Sequence, residues 1–453
     1  MDIDRRRLIA LSALSGAVPA ATVVAPAVAA PLSTFGIDAT TLGVRAGGGA
    51  EQTNMLQAAI DRTAGARVPL VLGPGEYRTG TLRLPSGAQI LGVRGATRLV
   101  YTRGPALIAA RGTEHVTLAG LVIDGGGRPM SEHGALIHLA QGRGIRVTDC
   151  EIVDSGGSGL LLEGIEGIVS GNTIANVAEV AIFSRDAHGL VIERNAVRRA
   201  GNGGILVHRS SKGDDGTLVI DNRIEDVSNT RGGSGQYGNA INVFRAAGVI
   251  VRGNRISRAS FSAVRGNAAS NIQICGNTAT DIGEVAIYSE FDFEGAVIAS
   301  NAVDGAALGI SVVNFNEGGR LAAVQGNLIR NLKPKRPAGT DPDDAAGIGI
   351  VVEADASVTG NVIENAPNAG INIGWGSYLR DVSVVGNVVR SARFGITVSA
   401  APGAGTAIVS GNLIAGSARG AIVGMDHAKP VTGDLIHEPA RLAHVQISGN
   451  RVR

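Results

Sequence analysis

Residues 195–222, NAVRRAGNGGILVHRSSKGDDGTLVIDN, contain one full period of a repeat that decides the fold. Three short apolar segments lie within this period, at 196–197, 204–207 and 218–220. Ile and Val in short runs bounded by Gly and Asn are typical of strands and not of helices. Three strands and their turns in about 25 residues form one coil of a parallel β-helix, in which each strand pairs with its equivalents in the neighbouring coils.

The mark of the repeat is a small residue, then Asn, then an apolar residue two positions later. A degenerate copy, TDCEI, surrounds Cys150, so regular repeats occupy 150–453. The spacing between successive repeat asparagines ranges from 23 to 38 residues and clusters near 25. We expect their side chains to stack at one bend and to bond the turn backbones, as a structural ladder. The ladder asparagines are Asn172, Asn195, Asn222, Asn254, Asn277, Asn301, Asn327, Asn361, Asn387, Asn412 and Asn450.

Two other repeat folds fit less well. A propeller blade needs about 40 residues and four strands, and a leucine-rich horseshoe needs an L-x-x-L-x-L pattern that this sequence lacks. The prediction is therefore an all-β, single-stranded parallel β-helix with three short strands per coil and about 12 or more coils.

Composition agrees with this fold and excludes several functions. Gly accounts for 66 of 453 residues, aromatic residues for 3% and hydrophobic residues for 44%, which suits a thin aliphatic core with sharp corners and excludes global disorder. The 41 basic and 39 acidic residues leave a net charge of +2. So balanced a charge argues against nucleic acid as a partner and against electrostatic attachment to a membrane.

The first 30 residues have the features of an export signal. Arg5-Arg6-Arg7 precedes an apolar stretch at 8–28, and Ala27-Val28-Ala29 offers a small-residue cleavage site. The paired arginines predict a twin-arginine (Tat) signal at 1–30, with the Tat export machinery as partner during translocation. The alternative, a single membrane anchor, is disfavoured by two prolines in the stretch. We expect a mature protein that is periplasmic or extracellular and not bound to a membrane.

The chain has two cysteines, Cys150 and Cys275. They lie about five coils apart, which is roughly 24 Å at 4.8 Å per stacked strand. A disulfide needs Cα atoms within about 7 Å, so we expect two buried free thiols.

The segment before the repeats has its own pattern. Within 31–66, residues 51–63 (EQTNMLQAAIDRT) are amphipathic and predict a helix that caps the open end of the coil stack. A Gly-Pro-Gly-x-Tyr turn at 73–77 and a Leu-Pro-Ser-Gly turn at 84–87 follow within 67–453, the predicted β-helix.

Helix, apolar strand and these two turns resemble the amino-terminal entry of the pectate-lyase-like β-helix superfamily. With the export signal, the whole chain is similar to a largely uncharacterised Tat-exported repeat family of alphaproteobacteria. The resemblance implies a right-handed coil, which is also the usual hand of parallel crossovers. It implies no single reaction, because the superfamily includes lyases, hydrolases, epimerases, depolymerases and proteins without catalysis.

Long loops in a regular solenoid indicate where function lies. The loops at 228–239 and 332–346 both precede a middle strand, about four coils apart. We expect them to project from one corner as two walls of a groove, with middle strands as its floor. A third insertion, 424–444, is a candidate cover for the last coil, for which a partner subunit is the alternative; the oligomeric state stays open.

Counting outward positions along the middle strands gives the candidate site. Lyase or epimerase chemistry on a uronic acid needs a base beside the carboxylate and a cation that holds it. We assign Arg265 as the cation, Tyr288 or His208 as base or acid, and Glu290 as the residue that orients them. The candidate substrate-binding residues are Asn242, Phe244, Arg245, Ser311, Asn314 and Trp375.

The first hypothesis is therefore an exported protein that binds an acidic polysaccharide and processes it as a lyase or epimerase. A second is a glycoside hydrolase with paired carboxylates, Glu290 with Asp292 or Glu353 with Asp355. A third is a structural or adhesive envelope protein without catalysis. Neither metal-ligand spacing nor a cofactor motif is present in the sequence, so no metal and no cofactor are expected.

Overall fold

A computed structural model describes residues 35–47, 49–341 and 344–453. The predicted export signal lies outside these residues. The described chain winds as a parallel β-helix of about 14 turns, with 42 strands in one hydrogen-bonded network. This confirms the predicted fold class.

The first sheet is formed by the strands that precede the repeat asparagines. These strands are Ile37–Asp38, Leu70–Val71, Gln89–Leu91, Thr117–Ala119, Val191–Glu193, Leu218–Ile220, Ile250–Arg252, Ile272–Cys275, Glu294–Ala299, Arg320–Gln325, Ala354–Thr359, Arg380–Val385, Ala407–Ser410 and Val445–Ser448.

The second sheet is formed by the strands that follow the asparagines. These strands are Gly75–Thr79, Thr97–Tyr101, Val122–Asp124, Glu151–Ser155, Thr173–Val177, Ala196–Ala200, Arg223–Val227, Arg255–Ala259, Thr278–Thr280, Ala302–Asp304, Leu328–Arg330, Leu413–Ala415 and Arg451–Val452.

The middle-strand sheet carries the candidate site. Its strands are Leu82–Arg83, Ile108–Arg111, Val180–Arg185, Gly203–Asp214, Asn239–Ala247, Val264–Asn267, Val285–Glu290, Leu308–Val312, Ile348–Val352, Ile422–Asp426 and the antiparallel Lys429–Asp434. Four longer strands turn a corner and belong to two sheets; these are Ala135–Thr148, Ser158–Ser170, Val362–Ile373 and Val388–Ser399.

The core is a stack of identical inward positions. Val219 pairs with Val251, which pairs with Ile274 and then with Ile298, and all four side chains are fully buried. Because the register repeats coil after coil, one aliphatic pattern fills the whole interior. Burial at about 25 cal/mol per Å² of apolar surface is the main stabilising term of such a stack.

The repeat asparagines form the expected column. Asn277 donates through its Nδ2 to the carbonyl of Val251 (3.0 Å) and to Oδ1 of Asn301 (3.0 Å), and its own Oδ1 accepts from the backbone N–H of Asn254 (3.0 Å). The same pattern runs from Asn172 to Asn450. The ladder therefore provides hydrogen-bond acceptors for backbone N–H groups at the turns, which have no partner in the sheets.

The backbone explains why the residue before the ladder asparagine is most often glycine. That residue has a positive φ in every regular coil, for example 65° at Gly276 and 61° at Gly326. Glycine adopts this left-handed conformation without strain, which is why the repeat so often reads Gly-Asn.

The two ends of the stack are built differently. The helix α1, Thr53–Gly65, packs against the first coils, and short 3₁₀ segments lie at Ala39–Leu42 and Phe315–Glu317. At the other end, Lys429–Asp434 pairs antiparallel with the last middle strand, Ile422–Asp426, and so occupies the edge where a further coil would pair. Among the described residues, no helix combines the length and apolar character that crossing a membrane requires.

Both cysteines are free thiols, as predicted, but only Cys150 is buried. Cys275 is half-buried because it follows the inward Ile274 and therefore faces outward at the end of its strand. The expectation of two buried thiols was wrong for this residue.

Candidate functional site

The outward side chains of the middle-strand sheet lie in two parallel columns. In the first, Asn242 pairs with Arg265, Arg265 with Tyr288, and Tyr288 with Ser311. Phe244, Asn267 and Glu290 succeed one another in the second column, two residues further along each strand. Counting alternate residues along each strand therefore correctly placed these residues on one face of the sheet. Equivalent residues in neighbouring coils are about 4.8 Å apart.

The structure brings together Arg265, Tyr288 and Glu290. The Arg265 Nε donates to Oε1 of Glu290 (2.6 Å), its Nη1 lies 3.7 Å from Oε2 of Glu284, and its guanidinium carbon lies 5.0 Å from the centre of the Tyr288 ring. The Nδ2 of Asn267 also donates to Glu290 (2.9 Å). This cluster is a packed network of charges and one ring.

The burial of this cluster changes the roles that the sequence suggested. Arg265 is 7% exposed and Glu290 1% exposed, so a substrate carboxylate would have to displace Glu290 to reach the guanidinium. Burial and the nearby Glu290 raise the pKa of Tyr288 above its ordinary value, which keeps the hydroxyl protonated and makes it a poor base. The expected cation is already paired with two carboxylates, Glu284 and Glu290, so it is not free to bind the carboxylate of a substrate.

His208 does not join this cluster. It pairs with Phe244, which pairs with Asn267 and then with Glu290, so it lies three coils, or about 14 Å, from that carboxylate. At that distance Glu290 cannot orient His208, so the alternative that His208 is the base or acid belongs to a separate site.

His208 instead lies in a cavity of about 320 Å³, here called the His208 cavity. Its ring packs edge-on between Phe183 (5.1 Å between ring centres) and Phe244 (5.5 Å). Phe244, Arg245 and Asn242 line the same cavity, so three of the predicted binding residues meet here. Asn242 is 3% exposed; its Nδ2 donates to the carbonyl of Gly235, and its Oδ1 has no hydrogen-bond partner.

Three arginines border the His208 cavity. Arg185 lies over the Phe183 ring (5.4 Å) and Arg245 over the Phe244 ring (4.7 Å). Arg209 has buried Nε and Nη1 atoms with no hydrogen-bond partner; Asp186 and Asp215 act on its charge only through space.

Sequence reasoning missed Arg185, Arg209 and Phe183. Arg209 belongs to a bulge of four residues, 209–212, that stand where the neighbouring strand has one. The signal available in the sequence was the polar run HRSSKGDDG at 208–216, which interrupts an otherwise regular coil.

The imidazole of His208 is neutral at neutral pH. Burial, together with the nearby Arg185, lowers its pKa to about 4. The side chain is 8% exposed and its Nε2 has no hydrogen-bond partner. A neutral, unpartnered ring nitrogen beside guanidinium groups can accept a proton once an anion enters the cavity.

A second cavity, of about 250 Å³, lies further along the same face. It is lined by Tyr288 and by the predicted binding residues Ser311, Asn314 and Trp375, together with Glu353; we call it the Glu353 cavity. Glu353 is 7% exposed and accepts a hydrogen bond from the N–H of Phe315 (2.8 Å). Burial raises its pKa, although this hydrogen bond opposes the shift.

The carboxylate pairs considered for glycoside hydrolysis are not built as pairs. Asp292 is exposed and bound to Lys212 (3.0 Å), whereas Glu290 is buried with Arg265. Asp355 is held by Arg380 and Arg320, which lower its pKa, while Glu353 faces the cavity. Each carboxylate has its own partners, so neither pair shares a reaction centre.

The loops at 228–239 and 332–346 form one side wall and not two end walls. Both precede middle strands, as expected, but they meet: a Cβ on Gly339 would lie 3.7 Å from the Phe261 ring and 3.9 Å from the backbone nitrogen of Gly233. The first loop borders the His208 cavity through Gly235, and the second borders the Glu353 cavity. Across the described residues, no group of three or more His, Cys, Asp or Glu side chains is placed to hold a metal ion.

Comparison with solved structures shows the same architecture in proteins of remote sequence. The catalytic unit of a thermostable GH87 α-1,3-glucanase from Streptomyces thermodiastaticus is 16% identical, with 94% of this chain and 70% of that chain covered and a TM-score of 0.50. The amino-terminal fragment of gene product 12 from bacteriophage Phi29 is 14% identical, with 87% and 69% covered and a TM-score of 0.53. At these identities the likeness concerns the fold alone.

No curated protein matches the sequence. The family described as "Right handed beta helix region" matches residues 106–235 and 210–389, which together span more than half of the chain. Its repeat, its parallel sheets and this match lead to one conclusion: the chain belongs to the right-handed β-helix family.

Proposed function

We propose that this protein binds an acidic polysaccharide on its middle-strand face and processes it as a lyase or epimerase, with the uronate carboxylate in the His208 cavity. The observation that carries the proposal is that one cavity is lined both by His208, a neutral imidazole without a hydrogen-bond partner, and by Arg209, whose buried guanidinium nitrogens also lack partners. A carbohydrate ligand also suits a fold that is shared with an α-1,3-glucanase.

The cavity supplies what an anionic sugar needs. An unpaired buried donor costs about 1–3 kcal/mol, so Arg209 gains if its side chain shifts to let an entering carboxylate accept from its Nε or Nη1. The guanidinium groups of Arg185 and Arg245 add positive charge nearby. Phe183 and Phe244 present apolar surface against which a sugar ring can pack.

The chemistry then follows from the neutral imidazole. In the lyase version, the His208 Nε2 takes the proton on the carbon beside the carboxylate. The electron pair of that C–H bond forms a carbon–carbon double bond as the neighbouring bond to the glycosidic oxygen breaks. The departing oxygen takes a proton from the imidazolium or from water, so no oxidant, reductant or metal is needed. In the epimerase version, the glycosidic bond stays intact, a water molecule donates a proton to the opposite face of the same carbon, and the imidazolium returns its proton to the hydroxide that remains.

Arginine and imidazole have separate tasks in this scheme. The guanidinium of Arg209 neutralises the carboxylate as negative charge spreads onto it during proton removal. The bound anion also raises the pKa of His208 from its low value in the empty cavity, which makes the imidazole a stronger base when substrate is present.

We further propose that the protein acts in the periplasm or outside the cell, after export by the Tat machinery. The support is the sequence of residues 1–30, with its paired arginines and small-residue cleavage site. An exported location would give the protein access to envelope or environmental polysaccharides.

The test uses the purified mature protein and a panel of soluble polyuronides. Binding is measured by calorimetry, elimination by the absorbance of the unsaturated product, and epimerisation by NMR of the sugar. We expect Arg209→Ala to weaken binding of the polyuronide that binds best, and His208→Gln to bind it but to lose turnover. Arg146→Ala, an exposed arginine on the first sheet, is the matched control.

Binding without turnover would favour the adhesive alternative. The absence of binding to every polyuronide, or equal affinity in Arg209→Ala and Arg146→Ala, would refute the proposed site.

A further inference from the structure

The two cavities on the middle-strand face differ in charge and polarity. Three arginines border the His208 cavity, whereas the Glu353 cavity has two carboxylates, Glu353 and Asp344, and apolar walls. We propose that the ligand is a heteropolysaccharide, with an acidic sugar in the His208 cavity and a neutral N-acetylated sugar in the Glu353 cavity. This inference rests on the proposed function and specifies its substrate class.

The single arginine at the Glu353 cavity is already engaged. The Nη1 of Arg336 lies 2.9 Å from Oε1 of Glu284 and 3.0 Å from Oδ2 of Asp344, and its Nε donates to the carbonyl of Ala345 (2.9 Å). The Arg336 side chain is 8% exposed. A carboxylate that entered here would meet Glu353 and Asp344 without a free cation, so an acidic sugar is disfavoured.

The Glu353 cavity contains acceptor groups that a ligand could bond. The Oδ1 of Asn314 is buried without a hydrogen-bond partner, and the carboxyl group of Glu353 faces the same space. A buried acceptor without a donor is costly, so the cavity favours a ligand with O–H or N–H groups. Hydroxyls and the amide N–H of an N-acetylated sugar meet this requirement.

The walls of the Glu353 cavity suit the apolar parts of such a sugar. Leu308, Ile348 and Val351 line it, and Leu308 and Ile348 belong to an apolar cluster outside the main core. Trp375 lies at its edge with 36% of its surface exposed. An acetyl methyl group can pack against the aliphatic wall while the sugar face stacks on the indole.

One extended chain can reach both cavities. The column that contains His208 continues through Phe244, Asn267 and Glu290. By the register of the next two strands, Glu353 occupies the equivalent position two coils after Glu290. Five coil spacings separate the two residues, which is about 24 Å. A chain of several sugars lying along the helix axis would therefore pass both sites, and a short fragment would occupy only one.

The test compares two probes of matched and increasing length. Hyaluronan oligosaccharides alternate glucuronate with N-acetylglucosamine, and oligogalacturonates contain only acidic units. We expect hyaluronan oligosaccharides to gain affinity once they are long enough to span both cavities, and oligogalacturonates of the same length to gain less. Trp375→Ala should lower the affinity of the long hyaluronan fragments roughly tenfold and leave the short ones unchanged.

The control is Tyr378→Ala, since Tyr378 is a half-exposed ring in the same turn that does not line the cavity. Equal affinity for the two long probes, or equal losses of affinity in Trp375→Ala and Tyr378→Ala, overturns this inference. The proposed function still holds in that case if short uronate fragments bind and their binding depends on Arg209. If neither probe binds at any length, the inference fails, and the proposed function fails with it if no other polyuronide of the panel binds.

Discussion

Replacement of a central ladder asparagine, Asn277→Ala, should destabilise the protein strongly. Asn277 is 3% exposed, so water cannot replace its bonds. The substitution removes two donated bonds, to Val251 and Asn301, and two accepted bonds, from the backbone and side-chain nitrogens of Asn254. The backbone N–H of Asn254 then has no acceptor in a dry turn.

The size of the effect follows from the four hydrogen bonds that the substitution removes. One orphaned buried N–H costs about 2 kcal/mol, and three further lost bonds cost roughly 0.5–1 kcal/mol each, so the expected loss is about 4 kcal/mol. Asn450→Ala is the matched control, because Asn450 ends the column and is half-exposed, so water can reach the groups that it leaves. We expect the control to cost about 1 kcal/mol.

The assay is unfolding in guanidinium chloride, monitored by circular dichroism. The free energies of unfolding are compared between variants whose unfolding free energy has the same slope against denaturant concentration. The reasoning is refuted if Asn277→Ala costs no more than Asn450→Ala. That result would mean that the column is a by-product of strand stacking and contributes no stability of its own.

Three further predictions concern protonation, buried charge and thiol reactivity. The pKa of His208 is lowered to about 4 in the folded protein. As the pH falls, the unfolded chain therefore binds a proton at this histidine before the folded protein does. The free energy of unfolding should fall by about 3 kcal/mol between pH 6.5 and 4 for this reason. Denaturant unfolding at pH 7 and pH 4 should show this loss in the native protein and not in His208→Phe; equal losses would contradict it. Glu290→Gln should cost about 3 kcal/mol because it leaves the buried guanidinium of Arg265 with Glu284 alone, at 3.7 Å, whereas Asp292→Asn, on an exposed turn, should cost less than about 1 kcal/mol; thermal unfolding of both variants checks the difference. Cys275, which is half-buried, should react with a thiol reagent in the folded protein, whereas Cys150, buried and with a pKa raised to about 11, should react only after unfolding; labelling of both at the same rate would be the contrary result.

The fold was predictable because its determinants recur. Each coil must bury aliphatic side chains at the same three segments and must turn at the same corners, so one period at 195–222 already contains the rule. The ladder was predictable for the same reason, since one asparagine per coil at a constant position has to stack when the coils stack.

A second column of left-handed residues was not predictable from the sequence. Asp154, Asn176, Arg199 and Asp226 occupy equivalent corners with φ between 53° and 59°, and their side chains bond from coil to coil, as Asn176 does with Asp154 (2.8 Å). No single residue type marks this column, because both acids and bases find partners in the neighbouring coil. Because the equivalent positions share a backbone conformation but not a residue type, they do not appear as a repeat in the sequence.

The candidate site was only partly predictable. Period-two counting gave the right face and brought Arg265 next to Tyr288, but outward positions on a sheet are ordinarily solvated. The loop at 332–346 overturns that expectation, because its Arg336 binds Glu284 and helps to bury the Arg265 cluster. Arg209 escaped notice because it lies in a bulge, and bulges follow no period.

The reversed strand at Lys429–Asp434 has a consequence for self-association. A solenoid that stopped on a bare parallel edge would offer every other copy a template for end-to-end growth into a fibre. Here one of the three sheets ends on a strand of opposite polarity, so an incoming copy cannot continue all three ladders in register. The hairpin thus closes the edge of the middle-strand sheet to an incoming parallel strand.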